Sequence, residues 1–271
     1  MDHQSLFNMV LETRQQPERA ADPRLLQVET PLVTVDIVVF TIVEKSLNVL
    51  LVQRQSQPYQ GYWSIPGGFI YAGETLEESA ARWLRERTSV DNIYLEQLYA
   101  FGQPERDPRA RVITVAYYAL INSEKLKPVA EQAGGSPSQW FDLGQLPDLA
   151  FDHQVIVERA VRRLKQQLKT TGIAFQLLPQ KFTLTELQRV YELILNRPLD
   201  KRNFRKKMLA SRILTEIDET KMEGYHRPAQ LYVFKQHPTP TAGYDADTDD
   251  DDEDDALHDA EALFKRPSAG L

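Results

Sequence analysis

From Leu32 onward, long runs of β-branched residues alternate with short polar breaks. The runs LVTVDIVVFTIV and VLLVQR flank the turn-like EKSLN, which predicts a β-hairpin over residues 32 to 54. A helix is predicted from Thr75 to Thr88, because Gly73 and Thr75 mark its start and Glu78 stands three positions after Thr75, the spacing of a capping box. Strands are expected at Tyr94 to Gly102, Arg111 to Ile121 and Ser138 to Asp142, and the periodicity of Asp152 to Lys169 predicts a second helix. Together these elements describe an α/β unit over residues 30 to 170.

A break at TTGIAF precedes a differently patterned unit, residues 175 to 237. Leu184, Leu187, Val190, Tyr191 and Ile194 recur at helical spacing within Thr183 to Asn196, and Asp200 to Ser211 predicts another helix. ILTEI and AQLYVFK then read as two short strands, so the order matches a winged helix-turn-helix. Phe204, Leu209, Ile213, Leu231, Tyr232 and Phe234 are expected in its core. Residues 1 to 29 read as a polar lead-in with one short helix around Leu6 to Leu11. Residues 238 to 271 are too acidic and too poor in core residues to fold alone, and are expected to form a disordered tail.

Composition narrows the setting. A chain of 271 residues with 42% hydrophobic content has room for two cores, and no apolar run approaches the roughly 18 to 20 residues that span a membrane. The first thirty residues lack a secretory pattern and there are no cysteines, which fits a soluble, cytoplasmic protein without disulfides or thiolate metal sites. The net charge of −7 is unevenly placed. Between Asp245 and Glu261 stand 11 acidic residues and no Lys or Arg, so the rest of the chain sums to −7 + 11 = +4. Within Phe175 to His237, 12 Lys or Arg stand against 7 Asp or Glu, a balance of +5 of the kind a polyanion attracts.

The segment GGFIYAGETLEESAARWLRERTSV resembles the Nudix box, with Gly68, Glu74, Arg82, Leu84, Glu86 and Val90 on motif positions. Trp83, Arg87 and Ser89 stand where the motif has Glu, Glu and Gly. Positions 83, 86 and 87 are expected on one helix face. In the family the carboxylates there hold divalent cations, which require several converging oxygen ligands. With Trp83 and Arg87 in place of two of them, hydrolysis is expected to be lost or marginal, while Glu74 and Arg82 tie the loop to the helix. A pocket without metals suggests a sensor that binds a nucleotide diphosphate uncleaved. Candidate contacts are Arg54, Trp63, the Gly67 and Gly68 amides, Glu86, Arg87 and the arginines of RDPRAR, Arg106, Arg109 and Arg111. Each arginine reads equally as a solvated surface charge, and Trp63 equally as core.

In the second unit, Lys201, Arg202, Asn203, Arg205, Lys206 and Lys207 crowd the start of the second helix, where phosphates and base edges are met in a major groove. His226 and Arg227 would supply a wing contact; a solvated basic helix face is the plainer alternative. The segments RDPRARVITVAYYALI, LAFDH, KRNFRKKML and RPAQLYVF resemble those of the NrtR family, Nudix-related transcriptional regulators of NAD metabolism. The resemblance covers most of residues 30 to 236. It implies a Nudix α/β/α sandwich with a mixed sheet joined to a winged helix. It also implies a homodimeric repressor of NAD biosynthesis or salvage genes that needs no cofactor, binds double-stranded operator DNA and is released by ADP-ribose. The alternative is an active Nudix hydrolase of ADP-ribose or another nucleoside diphosphate derivative; a pure protein-interaction module would leave the basic helix unexplained. The acidic tail is outside the family pattern, with solubility or masking of the basic domain as its conceivable roles.

Overall fold

The computed structural model describes residues 29–90, 93–126, 137–170, 172–222 and 228–235, without the side chains of 169 and 170. The expected lead-in helix, the tail and the wing residues His226 and Arg227 lie outside the described residues.

The first unit is built on a seven-stranded mixed sheet: β1 (Leu32–Val43), β2 (Ser46–Gln53), β3 (Trp63–Ser64), β4 (Gly67–Phe69), β5 (Tyr94–Phe101), β6 (Val112–Leu120) and β7 (Ser138–Asp142). The central pair β1 and β6 is parallel over nine residue pairs, from Leu32↔Val112 to Phe40↔Leu120, whereas β2 and β4 pair with β1 antiparallel. The hairpin turn is tighter than expected. Glu44 and Lys45 both take positive φ, so Ser46 already belongs to β2 and the Asn48 side chain donates to Val43 O and Ser46 O.

Alternation along β1 explains the layers. Val35, Ile37 and Val39 pack with Ala80, Trp83 and Leu84 of α1 (Leu76–Thr88). Val38 and Phe40 pack on the opposite face with Ile156, Val157, Ala160, Val161 and Leu164 of α2 (His153–Thr170). The result is an α/β/α sandwich in which each helix covers one face. Thr75 and Glu78 form the expected capping box at the start of α1, and Ser89 ends the helix in a left-handed conformation.

The second unit contains α3 (Leu184–Leu195), α4 (Lys201–Ala210), β9 (Leu214–Lys221) and β10 (Ala229–Phe234). Its sheet has three strands rather than two: β8 (Phe182–Thr183) pairs with Leu231 and Tyr232 of β10, immediately before Thr183 caps α3 through a box with Glu186. Asn196 closes α3 in a left-handed conformation. Phe204, Leu231 and Tyr232 are buried as expected, but Leu209 is 51% exposed and is not a core residue. Phe204 and the half-buried Met208, one helical turn apart, form the inward line of α4; Leu209 falls about 100° further round.

The break between the units is a buried 3-10 turn, Ile173–Leu177, rather than an exposed linker. Gly172 sits so close to Phe234 that a Cβ there would lie 2.6 Å from its ring, and Phe175 and Phe234 stack with centroids 4.2 Å apart. Ile173, Ala174 and Leu177 join α2 and the sheet to Leu187, Val190 and Ile194 of α3, so one apolar core runs through both units.

Candidate ligand site and DNA interface

Asp36 is the lone carboxylate in the apolar run of β1, and its place in the alternation turns it toward the α2 face. There it meets the segments LAFDH and RDPRAR. Arg106 is buried and makes a two-pronged bond to Asp152, Nε–Oδ2 2.9 Å and Nη2–Oδ1 2.6 Å, with Asp36 Oδ2 at 3.5 Å. Burial opposes its charge, but Asp152, Asp36 and Asp107 hold its pKa above the ordinary value. Arg109 forks onto Asp107, Nε–Oδ1 3.0 Å and Nη2–Oδ2 2.8 Å. His153 is buried and accepts the Ile65 N–H at Nδ1 (3.1 Å), with Nε2 3.9 Å from Asp36 Oδ1. Burial lowers its pKa, against the pull of Asp36 and with the help of Arg106, so the ring is neutral at neutral pH.

Arg54 differs from its neighbours. Its Nε donates to Pro58 O at 2.8 Å and its Nη2 to Ser56 O at 3.5 Å, and its guanidinium lies 4.6 Å above the Phe151 ring. Burial and the positive charge of Arg109 lower its pKa, which Asp107 and Asp36 only partly offset. Its hydrogen-bond partners among the described residues are carbonyls, so it is the guanidinium in this cluster with charge left to offer an anion. Beside it Tyr59, 37% exposed, meets Phe151 edge-on at 4.9 Å and Tyr62, 48% exposed, at 5.9 Å. An arginine next to exposed aromatic rings suits a ligand that is both anionic and aromatic.

The other candidate residues are placed as follows. Gly67 pairs with Asp36, and any Cβ on it would stand 2.3 Å from Val35 O, so close strand packing accounts for this glycine; Gly68 pairs with Val35 in the same ladder. Trp63 packs edge-on against Phe141 at 4.7 Å and joins the core, as its alternative reading had it. Arg111 reaches Glu29 at 3.3 Å and keeps a buried Nη1 without a hydrogen-bond partner among the described residues. Glu86 and Arg87 lie on α1, across the sheet from the arginine cluster.

Positions 83, 86 and 87 lie within about 100° of one another around α1, but that face is not uniformly open to solvent. Trp83 turns inward, 5% exposed, and its Nε1 donates to Phe69 O at 3.4 Å, while Glu86 is exposed 3.5 Å from Arg82 and Arg87 is half-buried with its pKa lowered by that burial. Glu74 and Arg82 do tie the loop to the helix. Their bonds of 2.6 and 3.0 Å, with Tyr71 N–H as a further donor, hold the Glu74 carboxyl down at about 2. Among the described residues no group of three or more His, Asp or Glu is arranged to hold a metal ion.

In the second unit Asp200 caps α4 by accepting the Asn203 N–H at 2.7 Å. Lys201, Arg202, Asn203, Arg205, Lys206 and Lys207 are all exposed around the helix, which is anchored by Phe204. The fold thus holds a bare basic helix away from its own core.

Asp36, Asp107, Phe151, Asp152, His153, Tyr59 and Tyr62 escaped the sequence reading as individual residues. The usable signals were a lone Asp in an apolar strand and a polar, aromatic pentapeptide before a periodic helix.

Fold and site define a two-domain protein, a Nudix-type sandwich with an arginine cluster fused through a shared core to a winged helix. Residues 30–163 match the NUDIX domain and residues 174–234 the NrtR DNA-binding winged helix domain. The chain is 41% identical over 209 residues to an ADPR responsive transcriptional repressor of Acinetobacter baylyi, covering 76% of this chain and 82% of that one. It belongs to the NrtR family. Shewanella oneidensis NrtR, solved in complex with a 27mer DNA, aligns with a TM-score of 0.67 at 37% identity, covering 75% of this chain and 93% of the other. The ADP-ribose pyrophosphatase of Methanocaldococcus jannaschii is 35% identical over 132 residues, 49% of this chain and 74% of that enzyme. No described helix is long and apolar enough to cross a membrane.

Proposed function

We propose that this protein is a transcriptional repressor that binds operator DNA through α4 and is controlled by ADP-ribose or a related nucleotide, held in a Nudix domain that no longer hydrolyses it. The observation that carries this is the exposed basic helix on a winged domain whose core continues into a Nudix domain with a desolvated arginine beside exposed aromatic rings. Similarity to a repressor described as ADPR responsive and to a DNA-bound NrtR supports it. Arg54 takes the diphosphate, Tyr59 and Tyr62 offer faces to the base, and Arg106, whose fork is filled by Asp152, positions the pocket rather than touching the ligand. The protein acts as a homodimer on a near-palindromic operator with half-sites about one helical turn or a multiple of it apart. Its target genes are those of NAD biosynthesis or salvage.

Loss of catalysis is supported by the box helix. Glu74 is locked to Arg82, Glu86 faces Arg82 and position 83 is an indole in the core, so the carboxylates do not converge as a divalent cation requires. The competing reading, an active ADP-ribose hydrolase, is favoured by the similarity to the Methanocaldococcus enzyme. Two measurements separate them. Purified protein should retard its own upstream DNA in a gel shift and release it on addition of ADP-ribose, and with Mg²⁺ it should leave ADP-ribose intact. Turnover of about 1 per second or more, typical of enzymes, would establish the hydrolase instead.

A further inference from the structure

The acidic run from Asp245 to Glu261 has no part in the function just proposed, and one cleft of the folded chain matches it in charge. That cleft, of about 700 Å³, opens between the β1–β2 turn and the Asp142–Gly144 segment on one side and α3 with the entry to α4 on the other. Its charged lining is Lys45, Arg189, Arg197 and Lys201 with Asp142 and Glu192, four cations against two carboxylates. Both carboxylates are already engaged: Asp142 accepts the Gly144 N–H at 2.7 Å, and Glu192 accepts the Leu199 N–H and the Gln188 Nε2–H, each at 2.9 Å. None of the four cations forms an ion pair among the described residues, whose Lys pairs in this domain are Lys181–Glu219 and Lys221–Glu186. Such a cleft, with four cations to two carboxylates, attracts an anion.

Charge and chain path select the occupant. Lys201 belongs to both the cleft and α4, whose exposed Arg202, Arg205 and Lys206 add further positive charge beyond it. The chain leaves β10 on the core side of α3, whose other face lines the cleft. Lys235 N donates to Ile213 O, and Phe234 stacks on Phe175 in the 3-10 turn against which α3, one wall of the cleft, also packs. Ten residues on, the acidic run begins, within an extended reach of roughly 33 Å. It carries 11 acidic residues and no Lys or Arg.

We propose that the segment Asp245 to Glu261 docks in this basic interdomain cleft and along the start of α4, where it competes with DNA for Lys201 and its neighbours. This rests on the DNA-binding reading for its consequence but not for the docking itself, and the two can be tested apart. The chain has no cysteine, so Asp250→Cys in the full-length protein places one spin label in the acidic run. The label should broaden the backbone amide signals of Lys45, Arg189 and Arg197 at low salt, and the broadening should vanish in the Arg189→Glu, Arg197→Glu double variant. Unbroadened cleft amides would overturn the docking. Separately, full-length protein with Asp249, Asp250, Asp251, Asp252, Asp254 and Asp255 changed to Asn should bind a random-sequence duplex about tenfold more tightly at low salt, the gain shrinking as salt screens both contacts. Changing Arg189 and Arg197 to Glu should also tighten DNA binding in the native chain and add nothing in the neutralised one. If those changes instead weaken DNA binding in both backgrounds, the cleft is a DNA-backbone site and the proposal fails. Broadening in a protein that binds no duplex would leave the docking standing and remove the DNA-binding reading.

Discussion

Arg106 shows how much one side chain can decide. It is buried between Asp152 and Asp36, and truncation would leave the buried Asp36 and the half-buried Asp152 carboxylates without their cation. Arg106→Ala is therefore expected to cost about 3–5 kcal/mol in urea unfolding, with ADP-ribose affinity falling along with it. His153 makes a second test. Its folded pKa is lowered, chiefly by burial, so the unfolded chain binds the proton more readily. Stability from this residue is complete above the unfolded value of about 6.5 and is lost as pH falls below it. Protonation would also turn the Nδ1 that accepts the Ile65 N–H into a donor. Urea midpoints measured from pH 7 down to 5 should fall, and the ring should not titrate near its free value by NMR. Trp83 was legible as a departure from a motif, but its direction was not. The spacing of three and four sets it beside Glu86 and Arg87, and only the docking of the helix on Ile37 and its neighbours makes position 83 the inward edge of that face, where burial stabilises an indole.

At the scale of elements, α4 is held by two features, the Asp200 cap and the Phe204 anchor, and leaves nearly all else to solvent. Asp200→Ala should weaken the helix by about 1 kcal/mol and lower DNA affinity without changing sequence preference. Arg202→Ala or Asn203→Ala should cost about 1–3 kcal/mol of binding and relax one operator position, whereas Lys206→Ala should weaken all sequences alike and flatten the salt dependence. Fluorescence anisotropy on operator and scrambled duplexes at several salt concentrations distinguishes these outcomes. Thr183 with Glu186, whose box emerged only from the structure, has the same spacing of three as Thr75 with Glu78, whose cap was readable in advance because it is local. β8 was not, since two residues carry no periodicity and become a strand only when β10 arrives from about fifty residues away.

Across the whole molecule, the continuous core offers a physical route between the two sites, because the 3-10 turn at Ile173–Leu177 packs on both the α2 side of the sheet and α3. If ADP-ribose weakens DNA binding by some factor, operator DNA must weaken ADP-ribose binding by the same factor. Titration calorimetry with and without operator checks this, and equal affinities would refute the coupling. The sequence alone determined what depends on neighbours along the chain: the hairpin, the helices and the α1 cap, the Nudix spacing, the winged-helix order and the concentration of positive charge on α4. These follow from period, capping and turn chemistry, which act over a few residues. Only the tertiary structure decided which charges meet. Arg106 finds Asp152 46 residues away and Asp36 70 residues away, and Arg54 is left with carbonyls and an aromatic face, because the sheet register and the docking of α2 bring those segments together. Burial then sets the energy of each charge, and burial is a property of the packed whole.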